Sequence, residues 1–121
     1  MDIQDALTVF DALSQETRLK AFRLLVEFGM EGAPAGVLSE KLGVPHNTLS
    51  FHLSHMANAG LITSRKQGRS VIYTVDFCLF QDVLRFMIED CCTSETASIR
   101  DSKSQNCTLI ELKNLSDCCK K

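Results

Sequence analysis

The stretch from Pro45 to Ile62, PHNTLSFHLSHMANAGLI, constrains this chain most, because its two helical faces differ in chemistry. Leu49, Leu53 and Met56 recur at helical spacing and form an apolar stripe that a small core can bury. The opposite face carries Asn47, Thr48, Ser50, Ser54 and His55. An ordinary solvated face would show Lys and Glu. Short uncharged hydrogen-bonding groups near a helix start instead suit base edges in a major groove. Gly60 ends the helix, and a strand pair follows at once.

That pair spans Leu61 to Arg65 and Val71 to Val75, joined by Lys66-Gln67-Gly68-Arg69-Ser70 with Gly where positive φ is expected. A hairpin directly after such a helix is a wing. Lys66 and Arg69 at its tip and Arg65 at its base are placed to neutralise phosphates, and no Asp or Glu dilutes them. The whole window from Lys41 to Val75 lacks acidic residues and holds all three histidines, so a chain of net charge -2 carries a locally basic field.

Upstream, Ile3, Ala6, Leu7, Phe10 and Leu13 mark a first amphipathic helix. Ser14 is placed to cap a second, with Glu16 in its first turn, Leu19, Phe22, Leu25 and Val26 on its buried face, and Gly29 at its end. Pro34 lies in a Gly-flanked connector and is suited to start a helix. Val37, Leu38 and Leu42 define a short third helix closed by Gly43, and Val44-Pro45 turns tightly into the next. Two helices joined around a Gly are a helix-turn-helix signature.

Leu49-Ser50-Phe51-His52-Leu53, Ala59-Gly60-Leu61-Ile62 and Gly68-Arg69-Ser70-Val71-Ile72-Tyr73 together resemble the arsenic- and metal-responsive repressors of the ArsR/SmtB type. Ala12-Leu13-Ser14-Gln15-Glu16-Thr17-Arg18-Leu19 is similar to that family's usual opening, so the resemblance covers residues 5 to 90. It implies a winged-helix homodimer that releases operator DNA when a metal or metalloid binds. The family usually has basic residues where this chain has Phe51 and Ser54, and Phe51 is suited to touch a thymine methyl.

From Phe77 to Cys91 the chain is apolar over more than half a helical circumference. Phe77, Phe80, Leu84, Met87, Ile88 and Cys91 line one face, and Leu79, Val83 and Phe86 a second. Such a helix needs two partners, its own core and another subunit, and the first helix is suited to share that interface. Dimerisation also follows from groove reading, since two recognition helices must reach half-sites about 34 Å apart. Thr93 to Asn106 turns to Ser, Thr and balanced charge, the composition of a tail, and Leu109, Leu112 and Leu115 allow a short helix within it.

Five of the six cysteines, Cys91, Cys92, Cys107, Cys118 and Cys119, lie in the last quarter of the chain. In a reducing compartment such a cluster suggests metal binding or redox chemistry before structural disulfides. Cys78 stands apart and reads as a small buried hydrophobe. No His or carboxylate pattern accompanies the cluster, so the donors are thiolates, which select soft ions. Trivalent arsenic or antimony is satisfied by three thiolates in a pyramid, whereas zinc normally takes four ligands. The family's paired-cysteine motif would fall on Val37-Leu38-Ser39-Glu40-Lys41-Leu42, which holds no sulfur, and its Asp and His zinc ligands do not appear between Asp76 and Asp90. A vicinal pair plus a third tail cysteine resembles the arsenite-sensing subset, with the pair mapped onto Cys91 and Cys92. Neighbouring helical residues point about 100° apart, so those two converge only where a last turn frays. The 14 residues between Cys92 and Cys107 are enough to fold back. Cys91, Cys92 and Cys107 are therefore the expected ligands, with Cys118 and Cys119 as replacements or supplements, and four of the five can instead hold zinc.

The expected architecture is mainly α with a β-hairpin wing, a homodimeric winged helix-turn-helix. Residues 1–92 form the DNA-binding and dimerisation domain, and 93–121 a flexible cysteine-containing tail. The expected DNA contacts are Asn47, Thr48, Ser50, Phe51, Ser54, Arg65, Lys66 and Arg69. No cofactor is required for DNA binding; the metalloid is the inducer. A thiol-disulfide switch, a zinc-responsive repressor and a purely protein-binding winged helix are the alternatives. No apolar run approaches membrane-spanning length and no signal peptide is visible, which points to the cytoplasm. No nucleophile pairs with a base and no cofactor loop is visible, which argues against an enzyme.

Overall fold

A computed structural model of the chain describes residues 1–89. Asp2–Asp76 make one compact unit and a second begins at Phe77. The first unit runs α1 (Ile3–Leu13), α2 (Glu16–Phe28), a 3-10 turn (Gly29–Glu31), β1 (Ala33–Pro34), α3 (Ala35–Leu42), α4 (His46–Asn58), β2 (Ile62–Gln67) and β3 (Ser70–Val75).

A capping box opens α1: the Asp2 carboxylate accepts the Asp5 N–H at 2.9 Å and the Asp5 carboxylate accepts the Asp2 N–H at 3.4 Å. Its buried face is Ala6, Val9 and Ala12, small side chains that let α1 lie close to α2 and α4. Of the stripe expected from the sequence, Ala6 is buried and Leu13 half-buried, while Ile3, Leu7 and Phe10 are turned outward, 62%, 52% and 39% exposed. Ser14 closes α1 rather than opening α2, since both its N–H and its hydroxyl donate to the Asp11 carbonyl oxygen. Gln15 takes the capping role, its side-chain oxygen accepting the Arg18 N–H at 2.8 Å. The buried arc of α2 is Arg18, Ala21, Phe22 and Leu25. Leu19 and Val26, each one residue past that arc and so about 100° round the helix, are exposed.

Leu38, Leu49, Leu53, Met56, Leu61 and Ile62 are fully buried or nearly so, and form the floor on which α3, α4 and the hairpin rest. Each such side chain contributes about 1.5 to 3 kcal/mol of hydrophobic stabilisation. The antiparallel sheet has the order β1-β3-β2. Ala33 pairs with Tyr73 and Pro34 with Ile72, a two-residue edge strand too short to show any alternation in sequence. Just before it, Gly32 has φ 71, and a Cβ there would meet the Tyr73 carbonyl oxygen and lie 2.5 Å from Thr74 Cγ2.

The second unit opens with α5 (Phe77–Ile88), which ends three residues short of the expected Cys91. Val83 and Gln81 are its buried residues, and Met87 is exposed. Cys78 is half-buried and disulfide-bonded, not the small buried hydrophobe expected of an isolated cysteine. Among the described residues no helix is long and apolar enough to cross a membrane. Cys91, Cys92, Cys107, Cys118, Cys119 and the expected tail lie outside the described residues.

Candidate nucleic-acid interface

The turn between α3 and α4 is held from within. Gly43 adopts φ 68, and its N–H and that of Val44 both donate to the Ser39 carbonyl oxygen, at 2.9 and 3.2 Å. The Ser39 hydroxyl donates back to the Val44 carbonyl at 2.5 Å. Pro45 then stands at the N-cap of α4 without a side-chain cap, and its carbonyl accepts the Leu49 N–H at 2.9 Å. A first turn with no side chain folded over its N–H groups suits a phosphate oxygen.

Leu49, Leu53 and Met56 are all fully buried, which fixes the rotation of α4. Asn47, Ser50, Phe51 and Ser54 fall at i, i+3, i+4 and i+7 and share the other side, with Thr48 next to them. Asn47, Thr48, Phe51 and Ser54 are exposed and Ser50 is half-buried; Phe51 stands 69% exposed. No acidic residue lies in the first turn of α4. His55 departs from the expected groove face. It turns toward α1, where its Nε2 lies 3.5 Å from a carboxylate oxygen of Asp11, an acid distant from α4 in the sequence.

The hairpin is tighter than expected. Gln67 pairs with Ser70, leaving a two-residue turn of Gly68, at φ 66, and Arg69. Lys66 therefore belongs to β2 opposite Val71, and every residue from Thr63 to Ser70 is exposed. Arg65 and Lys66 are consecutive on a strand and project to opposite faces of the ribbon. The Arg65 guanidinium donates through Nη2 to the Glu31 carbonyl oxygen at 2.9 Å. One of its five donors is thus committed within the protein.

Sequence reading missed Arg18. It is 9% exposed, its Nε donates to the Ala12 carbonyl at 2.6 Å, and its Nη1 lies 3.2 Å from His52 Nδ1. The available signal was a charged residue at i, i+4 and i+7 spacing with Phe22 and Leu25, on what is otherwise an apolar stripe. Burial, and then the positive charges of Arg18 and His55, hold His52 below the usual histidine range. The same ring meets Phe51 edge-on, with centroids 5.8 Å apart.

The arrangement places uncharged side chains on one exposed helix face and, on the adjoining hairpin, the exposed cations Arg65, Lys66 and Arg69. A family model described as a helix-turn-helix domain matches residues 13–65. The chain is 33% identical over 88 residues to the uncharacterized HTH-type transcriptional regulator YceK of Bacillus subtilis, covering 73% of this chain and 87% of that protein. It is 29% identical over 80 residues to the transcriptional repressor SdpR of the same organism, covering 66% and 86%. It is also similar to the structure of an ArsR-like transcriptional regulator from Rhodococcus sp. RHA1, with a TM-score of 0.61 and 26% identity over 88% of this chain and 92% of that one.

Proposed function

This chain belongs to the ArsR-type winged helix-turn-helix transcription regulators, and we propose that it is a dimeric repressor released from its operator by trivalent arsenic or antimony. The observation that carries the DNA half of this reading is the outward arc of Asn47, Thr48, Phe51 and Ser54 on a helix whose other side is locked into the core. In this reading those groups meet base edges, with Ser50 at the margin, while Arg65, Lys66 and Arg69 meet phosphates.

Two copies are required because each α4 must enter a half-site about 34 Å from the other. The exposed Ile3, Leu7 and Phe10 of α1 and the exposed Met87 of α5 each supply apolar surface that a partner subunit can cover. The ligand half rests on the donor set. Five cysteines in the last quarter of the chain, without accompanying His or carboxylate patterns, match in their reduced form a soft three-coordinate ion better than zinc. Cys91, Cys92 and Cys107 are assigned to that ion, with Cys118 and Cys119 as alternates.

One observation favours a second reading. Cys78 is disulfide-bonded, which fits a regulator whose thiols respond to oxidation. The two are separated by titrating arsenite, antimonite, zinc and a methylated trivalent arsenical into the protein bound to its own upstream DNA, under reducing conditions. Release by a trivalent arsenical with reductant present supports the first reading. Release only by an oxidant, reversed by dithiothreitol, overturns it in favour of the second, and failure to bind upstream DNA at all overturns both.

A further inference from the structure

We propose that Arg18 and His52 form a proton-sensitive latch that positions α4, so that acidification weakens operator binding through a residue that reads no base. The proposal rests on the reading of α4 as the DNA-facing helix.

Arg18 ties three helices together: it belongs to α2, its Nε donates to Ala12 at the end of α1, and its Nη1 meets His52 on α4. A guanidinium is a donor only and does not lose its proton in the physiological range. His52 Nδ1 must then be the acceptor, which fixes the ring as the neutral Nε2–H tautomer. A proton arriving at Nδ1 removes the lone pair that Arg18 uses and sets an imidazolium against a buried guanidinium. The 3.2 Å contact cannot survive that change.

The surroundings offer the imidazolium little help. Along α4 itself the neighbour is His55, and the carboxylate that α1 brings there, Asp11, lies beside His55. From α2 comes Arg18. The other elements packed on α4 are α3 and β2, which carry Glu40, Lys41, Arg65 and Lys66. Among the described residues none of these four hydrogen-bonds or ion-pairs with His52. Its depressed proton affinity agrees with that setting. His52 directly follows Phe51, so losing its anchor loosens the turn of α4 that carries Phe51, while Leu49, Leu53 and Met56 keep the helix docked. Added positive charge near DNA ordinarily strengthens binding. The latch has the opposite sign.

The test uses the full chain and a labelled duplex of its own upstream DNA, with affinity measured from about pH 8 to about pH 5.5. In His52→Asn the amide oxygen takes roughly the place of Nδ1 as acceptor and cannot be protonated. The variant is expected to match wild type at the alkaline end, while wild type falls about tenfold relative to it at the acid end, a fold-change typical of coupling between two sites. A constant affinity ratio across the range overturns the latch. A second measurement needs no variant: nitrogen-15 NMR of the free wild-type protein at neutral pH should show His52 with its proton on Nε2, and a proton on Nδ1 overturns the latch whatever the DNA result. If wild type binds no operator even at the alkaline end, the DNA reading fails, and the tautomer still decides whether the latch exists.

Discussion

Arg65 and Glu31 are joined by a 2.9 Å hydrogen bond from the guanidinium to the backbone carbonyl, so the cation at the base of the hairpin is oriented by the 3-10 turn that follows α2. Arg69 sits in the two-residue turn at the tip and is exposed. The two arginines should therefore behave differently. Arg69→Ala is expected to weaken binding to all DNA sequences alike and to lower the salt slope by about one. Arg65→Ala should do the same and also lower thermal stability, by up to about 1 kcal/mol because the lost bond is solvent-exposed. Anisotropy titrations over a salt series, beside thermal melts of both variants, check the contrast.

Base reading should show a different signature. Asn47→Ala is expected to cost roughly 1 to 3 kcal/mol on the operator and to relax the preference at one base pair, because an Asn amide pairs bidentately with adenine. Phe51→Ala should instead remove discrimination at a thymine, through loss of contact with its methyl group. Affinities on a panel of single-substituted operators decide this; a uniform loss across the panel would move both residues from readout to support.

Much of the candidate site's geometry was legible because α4 has a strict periodicity. Leu49, Leu53 and Met56 had to be buried, and that alone turned Asn47 and Phe51 outward. The hairpin was legible from Gly68 and from the apolar run of β3. What escaped were features decided by tertiary neighbours. The face of α1 could not be chosen from its sequence, since Ala6, Val9 and Ala12 make as regular a stripe as Ile3, Leu7 and Phe10, and close packing selected the smaller one. His55 looked like a groove residue until Asp11 approached it from α1. β1 exists only because β3 offers it an edge, and the ring of His52 is defined by an arginine 34 positions away.

Gly32 should be intolerant where Gly36 is not. At Gly32 the backbone has φ 71 and a Cβ would meet the Tyr73 carbonyl oxygen, so Gly32→Ala must move β1 away from β3. The expected loss is at least about 2 kcal/mol, combining backbone strain with steric conflict. At Gly36, inside α3, a Cβ meets nothing within 4 Å, and Ala there should raise stability by up to about 1 kcal/mol. Urea melts of the two variants measure both signs.

His52 also sets a sign for stability against pH. Its folded pKa lies below the unfolded one, so between the two values the unfolded chain binds more protons. Its contribution to stability is therefore intact above the unfolded histidine value of about 6.5 and is progressively lost as pH falls below it. Comparing urea melts of wild type and His52→Asn across that range should give a steeper acid loss for wild type, and parallel curves would remove His52 from the account.

The thiols provide a separation of functions. Cys91→Ser, Cys92→Ser and Cys107→Ser are each expected to bind operator normally and to ignore arsenite, because these residues belong neither to α4 nor to the hairpin. A Cys118/Cys119 double mutant blind to arsenite, with Cys91 and Cys92 variants still responsive, would assign the other pair. Cys78→Ser should keep its arsenite response, whereas under the disulfide reading it should lose its response to oxidant. The demand on the ligand is large. Moving a population from 1:99 to 99:1 takes about 5.5 kcal/mol of differential affinity, which three thiolates around one ion can supply and a single exposed thiol cannot. By linkage, operator DNA must weaken arsenite affinity by the same factor that arsenite weakens DNA affinity. Equal arsenite affinities with and without operator would therefore exclude release by this route, even if arsenite binds tightly.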